Sequence, residues 1–286
     1  QRLFGPGSAQ NELKTTLALA EQVAPDLYVE VLVTIAKDLK LTGKYDESEA
    51  LYREALERLG DREDQIGLRA GSHVRVGDCL SRRERYEEAL VEVKKGVALA
   101  RRSRSPHLLG DVLNLYGEVL RTSGYLDLAE AAYREAAELM VSIGSVTRFF
   151  VQANLAIVLQ LQGDFAQSRR IVEGLLRQRR GQSFPRERMA FSALLLPCLV
   201  ADGDFSRYDQ TLADLEGSYR LDWAEFDIGQ AAYRAANQLQ NLGEYDRALR
   251  TFRIVADQYE KLGLTEPLAQ VRSILTTLEL QQESID

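Results

Sequence analysis

The side chains of this chain that are best suited to catalysis or metal binding are those of His73, His107, Cys79 and Cys198. Neither histidine has a second histidine or a cysteine at the spacing that a zinc site needs. We expect His73 to lie packed or partly exposed on a helix, and His107 to be solvated. Two cysteines cannot build a disulfide framework, and we expect both to be ordinary helical residues.

Three arginine clusters offer a second kind of chemistry. Two of them, at 101–104 and 177–180, include Arg101, Arg102, Arg179 and Arg180 and close a predicted helix, where cations complement the helix dipole. The alternative for these two clusters is a contact with phosphate or with an acidic partner. The third cluster, at 82–85, lies at a predicted turn, and we expect it to be solvated.

No motif for nucleotide binding accompanies these residues. The glycine-containing segment 5–8 lacks the lysine and the spacing of a phosphate-binding loop. We therefore expect no catalytic residue, no metal and no cofactor, and we expect that the chain is not an enzyme.

Composition narrows the class of partner. The chain has 286 residues, of which 45% are hydrophobic and 28% charged, with a formal net charge of −7. This charge opposes non-specific binding to nucleic acid and to anionic membranes. With no apolar run of about 18 residues and no signal-like start, the sequence predicts a cytoplasmic protein. Because it begins at Gln1, we expect a fragment of a longer chain.

The elements that would position any site are set by an internal repeat. One short phrase recurs every 39 to 41 residues: glycine, replaced by Glu84 in one copy, followed two residues later by an aromatic residue, replaced by Leu126 in another. We call the first residue of each phrase its turn position. The six turn positions are Gly43, Glu84, Gly124, Gly163, Gly203 and Gly243.

The residues around the phrase keep the same period. A leucine lies four residues before every turn position, a mostly small residue lies seven before, and an apolar residue lies nine after. A further small residue follows the turn position by five. Because these offsets are multiples of helical turns, each unit has an apolar stripe on both sides of a break. The pattern predicts six antiparallel helical hairpins, with a strained left-handed residue or a different turn at Glu84.

The repeat resembles the tetratricopeptide repeat family, over roughly residues 26–264 and most clearly at 113–136. Its period of about 40 residues is longer than the usual 34 and resembles that of kinesin light chains and the helical arms of bacterial regulators. The resemblance implies an all-α, right-handed α-solenoid, formed as one array with an extra helix at each end. We expect a leading helix at 8–24, with Leu13, Leu17, Ala20 and Ala24 on one face, and a terminal helix at 265–282. The predicted repeats are 26–62, 63–104, 105–144, 145–182, 183–221 and 222–264.

In this family the first helix of each hairpin lines a concave groove. Counting helical offsets places polar side chains on that face, and arginine, asparagine and tyrosine side chains can bond a peptide backbone. Outside the main set, the face also has Lys37, Gln160 and Gln240. The candidate partner-binding residues are Arg75, Asp78, Asn114, Glu118, Arg121, Asn154, Tyr233, Arg234 and Asn237.

Two features of the predicted groove limit what it would bind. The fifth hairpin presents Ala190, Ala193, Leu194 and Pro197, which would form either an exposed apolar contact surface or a buried one. The full set of lysines and asparagines with which some members hold a C-terminal carboxylate is absent.

Two functions are compatible with this sequence. The first is a non-catalytic scaffold that binds a protein or peptide, as an arm of a larger intracellular regulatory protein. The second is an arm that senses a small effector and signals to an ATPase, a kinase or a transcription regulator. Self-association through the exposed end faces of the solenoid is a further possibility.

Overall fold

The computed structural model describes residues 15, 17–19, 21, 25–178, 185–218 and 226–283. Most of the expected leading helix lies outside these residues, including Leu13, Ala20 and Ala24, as do Arg179 and Arg180. The described part of the chain is helical and contains no β-strand. Its helices fall into two compact units, 1–151 and 152–286.

The helices follow one another in pairs. In the first unit the pairs are α1 (Pro25–Leu41) with α2 (Tyr45–Leu59), α3 (Ile66–Arg82) with α4 (Tyr86–Arg102), and α5 (Pro106–Thr122) with α6 (Leu126–Ser142). The remaining helices are α7 (Arg148–Leu161), α8 (Phe165–Gln178), α9 (Pro185–Ala201), α10 (Phe205–Ser218), α11 (Phe226–Asn241), α12 (Tyr245–Lys261) and α13 (Thr265–Glu283). Odd-numbered helices α1–α11 are the first helices of the six hairpins, and the even-numbered ones are the second helices.

Each recurrent phrase lies between the two helices of a hairpin, as predicted. The turn glycines adopt left-handed backbone angles, such as φ 78° at Gly43 and φ 83° at Gly124. The amide after the turn position donates to the carbonyl of the repeated leucine, for example Lys44 N to Leu39 O at 3.0 Å. This bond and the adjacent one from the turn amide form the Schellman motif that closes a helix. Glu84 takes the same conformation with φ 60°, so the strained alternative is the one observed.

The predicted apolar stripes form the core of both units. The residues nine after the turn positions are all fully buried; they are Tyr52, Val93, Tyr133, Val172, Leu212 and Phe252. The small positions five after the turns are also fully buried, including the bulkier Tyr208. Tyr208 Oη lies 2.6 Å from Thr251 Oγ1 in the following hairpin, so its hydroxyl is satisfied. Burial raises the pKa of Tyr208 above its usual range.

The two helices of a hairpin approach each other closely at a glycine seven residues before the turn, as at Gly77 and Gly117. A methyl group added at Gly77 would lie 2.4 Å from a methyl of Val93 and 2.9 Å from the carbonyl oxygen of Ala89. One added at Gly117 would lie 2.8 Å from the ring of Tyr133. The helix backbones are therefore closer than a side chain at these positions would allow.

Neighbouring hairpins are joined by a repeated hydrogen-bond motif. Ser48 on α2 donates to the carbonyl of Ala36 at 2.7 Å and accepts from Cys79 of the next hairpin at 3.4 Å. In the second unit, Ser168 donates to a carbonyl in the same way and accepts from Cys198 at 3.5 Å. Both cysteines are buried and unpaired, which agrees with the expectation of ordinary helical residues. Burial raises the pKa of each thiol.

Ion pairs join the second helix of one hairpin to the turn of the next. Glu49 accepts from Arg83 at 2.7 Å and lies 3.7 Å from Arg85, so a carboxylate faces two turn cations. In the second unit the charges are reversed, since Arg169 lies 2.5 Å from Asp202 and 2.9 Å from Asp204.

The arginine cluster at 82–85 is partly solvated, as expected, but its side chains are also paired. Besides Arg83 and Arg85, Arg82 is also paired, at 3.0 Å from Glu118. Opposite charges at matched positions hold these side chains against the neighbouring hairpin.

The close approach at Gly77 yields a prediction with a matched control. Gly77→Ala will lower the free energy of unfolding by about 1–3 kcal/mol, because the added methyl forces α3 and α4 apart. Gly71→Ala lies on the same helix with nothing within 4 Å of the added methyl. It will stabilise the protein by up to about 1 kcal/mol, through helix propensity alone. Denaturation followed by circular dichroism measures both, and equal effects would show that the contact is not tight.

The left-handed residue at Glu84 yields a second prediction. Glu84→Gly will raise the free energy of unfolding by up to about 1 kcal/mol, because glycine adopts φ 60° without strain. Glu87→Gly, which places glycine in the first turn of α4, will lower it by a comparable amount. A loss of stability in both variants, measured by thermal denaturation, would contradict the strain at Glu84.

Candidate functional site

A row of alternating charges runs across the first helices of the first unit. Lys40 on α1 lies 2.5 Å from Asp78 on α3, and Arg82 on α3 lies 3.0 Å from Glu118 on α5. Asp78 is only 3% exposed and is also 3.5 Å from Arg82. Sequence reasoning selected Asp78 and Glu118 but missed Lys40 and Arg82, which neutralise them. The two acids therefore fix neighbouring cations in place.

Three further cations lie on these first helices without a carboxylate within 4 Å in the described part of the chain. Lys37 is exposed, and Arg75 and Arg121 are half-buried. The Nε atom of Arg121 is buried and makes no hydrogen bond to any described residue. Arg75 lies near the Tyr52 hydroxyl, whose pKa burial raises to about 12 against the opposing charge of that arginine. We call Lys37, Arg75 and Arg121 the open cations.

The apolar stretch of the fifth hairpin is buried. Ala193 and Leu194 are at most 2% exposed, and Pro197 is buried as well. Helix α9 is apolar around most of its circumference, and it packs against α8, α10 and α11. Of the two alternatives for this stretch, the structure selects the buried one, and the idea of an apolar contact surface there is wrong.

A buried polar cluster links three hairpins of the second unit through Gln160 on α7. Its amide nitrogen donates to Leu194 O at 2.7 Å and to Ser168 Oγ at 3.0 Å. Its carbonyl oxygen accepts from Arg234 on α11 at 3.2 Å. Arg234 is thus held by the protein, and its guanidinium is fixed at the junction of the first helices of the fourth and sixth hairpins.

The other candidate binding residues of the second unit are Tyr233, Asn237 and Asn154, and their side chains make different contacts. The ring of Tyr233 packs edge-on against Phe252, with centroids 5.9 Å apart. The side-chain amide of Asn237 donates to the carbonyl of Tyr233 at 2.8 Å, within the same helix. Asn154 is half-buried, as is Asn114 in the first unit.

The two histidines lie in ordinary polar contacts. His73 Nδ1 lies 2.8 Å from Glu92 Oε2, inside the second hairpin. Burial raises the pKa of Glu92, but hydrogen bonds from Lys95 and His73 outweigh it, and the net shift is downward. His107 is largely exposed, as expected, and lies 3.1 Å from Asp111.

Three further features of the described residues concern metal binding, a cavity and membrane insertion. None of the described residues forms a group of three potential metal ligands. A cavity of about 230 Å³ is lined by residues that include Tyr28, Arg58 and Leu68, and it lies away from the open cations. No described helix combines the length and the apolar character that a membrane span requires.

Arg101 and Arg102, from the first arginine cluster, are exposed and paired with Glu135 and Glu63. Arg177, from the second, lies 3.8 Å from Glu173. These pairs compensate the charges within the protein, which favours the interpretation that the clusters complement helix ends.

Two segments of the chain match models of a known protein family. Residues 110–139 and 150–173 each match a family model described as tetratricopeptide repeat. Together with the hairpins of one pattern in the described residues, these matches show that the chain contains tetratricopeptide repeats. No curated protein sequence matches the chain significantly.

Solved structures share the fold at low sequence identity. Aspartyl phosphate phosphatase F from Bacillus subtilis is 15% identical, with a TM-score of 0.69 over 87% of this chain and 64% of that one. A Rap protein complexed with competence and sporulation factor is 16% identical, with a TM-score of 0.65 over 89% and 72% of the two chains. A tetratricopeptide repeat protein from Parabacteroides merdae is 16% identical, with a TM-score of 0.60 over 95% and 91%. These likenesses establish the helical-repeat fold.

The cluster around Gln160 yields a third prediction. Gln160→Leu will lower the free energy of unfolding by about 1–3 kcal/mol, because the carbonyl of Leu194 loses its donor and Arg234 loses an acceptor in a buried place. Gln210→Leu makes the same change at an exposed position of α10 and will have little effect. Equal midpoints for the two variants in chemical denaturation would show that the cluster does not stabilise the second unit.

Proposed function

We propose that this protein is a non-catalytic scaffold whose first helices bind an extended segment of another protein. The observation that carries this proposal is the set of open cations on α1, α3 and α5. The arginines and lysines around them, such as Lys40 and Arg82, are paired with carboxylates of the protein. No described carboxylate lies within 4 Å of the open cations, and Arg75 interacts only at longer range with Asp111, so we infer that a carboxylate of a guest can pair with them.

The chemistry of this face favours an acidic segment. Guanidinium groups bind carboxylates through two parallel hydrogen bonds, and the amide of Asn114 can donate to a backbone carbonyl. The protein has a net charge of −7 and repels an acidic guest over most of its surface. The open cations attract the guest locally and so direct it to the first helices. The row from Lys40 to Glu118 keeps the first helices rigid, which lowers the entropy lost on binding.

The second unit contributes a different set of contacts in this proposal. Arg234 is fixed by Gln160, and Tyr233 by Phe252, so both are pre-positioned on α11. Asn154 and Asn237 supply amides on the same class of helix. We propose that these residues bind a second part of the guest through polar contacts to its backbone.

The comparisons support a binding role by analogy of fold. One protein of this fold is complexed with competence and sporulation factor. A phosphatase is also among the similar structures.

We further propose that the scaffold is an arm of a larger regulatory protein and acts in the cytoplasm, without binding nucleic acid or membranes. Two free, buried thiols fit a reducing compartment. The acidic net charge disfavours polyanionic partners.

A selection from random peptides tests this function. Peptides that bind the protein will be enriched in aspartate and glutamate. Arg75→Ala combined with Arg121→Ala will weaken their affinity at least about tenfold, measured by isothermal titration calorimetry, because two charge-assisted contacts are lost. The affinity will also fall as salt concentration rises.

The control removes two cations from second helices. Lys94 and Arg170 are exposed, and Lys94→Ala combined with Arg170→Ala will leave the affinity unchanged. Arg234→Ala is unsuitable as a test, since it would also disturb the Gln160 cluster. Selected peptides that lack acidic residues, or that bind both double variants equally, would refute the proposal.

A further inference from the structure

A surface of exposed apolar side chains lies where the third hairpin ends. Val141, Ile143, Val146 and Phe150 are between 40% and 67% exposed, within ten consecutive residues of the first unit. We call these four residues the apolar corner. Leucine, valine or phenylalanine exposed singly needs no explanation, but a cluster of this kind marks a contact surface.

The four residues span the end of α6, the connecting turn and the start of α7. Gly144, with φ 64°, closes α6, and Ser145 N donates to Met140 O at 2.9 Å. The chain then turns into α7, with Phe150 N donating to Thr147 O at 3.0 Å. Val146 lies in the turn before α7, and Phe150 lies in the first turn of that helix.

The corresponding connections of the first two hairpins are different. The first, after α2, contains Asp61, Arg62, Glu63 and Asp64, all of them exposed. The second contains exposed Arg104 and follows the paired Arg101 and Arg102. The position in the fold therefore does not require apolar residues, and another contact must account for them at the apolar corner.

The corner is also unusually poor in charge. Between Glu138 and Asp164 the only charged residue is Arg148, in a chain that is 28% charged. Its guanidinium donates to the carbonyls of Gly144 at 3.2 Å and Ser145 at 2.8 Å. It also lies 4.3 Å from the ring centre of Phe149. The charge of Arg148 is thus directed into its own loop.

We propose that the apolar corner is the contact through which two copies of this chain associate. A two-fold contact places the same surface of both copies face to face, so any charge on it meets its like. Copies with a net charge of −7 repel each other, and an apolar surface whose single charged residue, Arg148, bonds to its own loop is where this repulsion is weakest. Four side chains cover less than the roughly 800 Å² per partner of a stable interface. The self-association is therefore weak and reversible.

Sedimentation velocity over a range of protein concentrations tests the proposal. The wild-type protein will form dimers in a concentration-dependent way, more strongly at high salt, because salt screens the repulsion between acidic copies. Val146→Asp will raise the dissociation constant at least about tenfold, because it places two like charges in an apolar contact. Val91→Asp, at a residue of α4 that is 55% exposed, makes the same change elsewhere and will leave the constant unchanged.

A cross-linking experiment locates the contact independently. Val146→Cys will give a disulfide-linked dimer on mild oxidation, whereas Val91→Cys will not. The native thiols of Cys79 and Cys198 are buried and do not compete. Circular dichroism confirms that each variant is folded.

Three results would overturn the proposal. They are a wild-type protein that stays monomeric at all concentrations, a dimer that Val146→Asp leaves intact, and a corner that binds only a different protein. None of them bears on the peptide selection, which depends on the open cations.

Discussion

Everything in this structure depends on the close approach of the two helices in each hairpin. At Gly77 and Gly117 the facing helix leaves no room for even a methyl group, and the residues nine after each turn fill the remaining space completely. Close packing of this kind fixes the angle and register of a hairpin, since a shift of one residue would bring larger side chains into contact. Each turn then needs a left-handed residue, because the helix must reverse within three residues.

First and second helices make different kinds of contact. Second helices meet the neighbouring hairpin through hydrogen bonds such as that between Ser48 and Cys79, and through ion pairs such as that between Glu49 and Arg83. Their cations are mostly used within the protein. First helices of the first unit are tied to one another by the charge row from Lys40 to Glu118, and no described carboxylate lies within 4 Å of the open cations. In the proposed function, recognition therefore uses the first helices, whereas second helices supply contacts such as these between hairpins.

The sequence predicted the fold well because the fold is periodic. Glycine at the turn is a local requirement of the Schellman motif, and the leucine four residues earlier repeats with it often enough for the pattern to be recognised. The candidate site was less predictable. Helical offsets placed Asp78 on the first-helix face but could not show that Lys40, one hairpin away in sequence, neutralises it. The burial of α9 and the pairing of Arg83 also depend on the neighbouring hairpin, about 40 residues distant, and no local pattern reports such contacts.

The claim that recognition belongs to the first helices can be tested by site-specific photo-cross-linking in cells that express this protein. A photoreactive amino acid would replace Lys37, exposed on α1, or Lys94, exposed on the second helix α4. If the first helices bind the partner, the probe at position 37 will capture a partner protein and the probe at position 94 will not. Capture from position 94 alone, or equal capture from both positions, would contradict it.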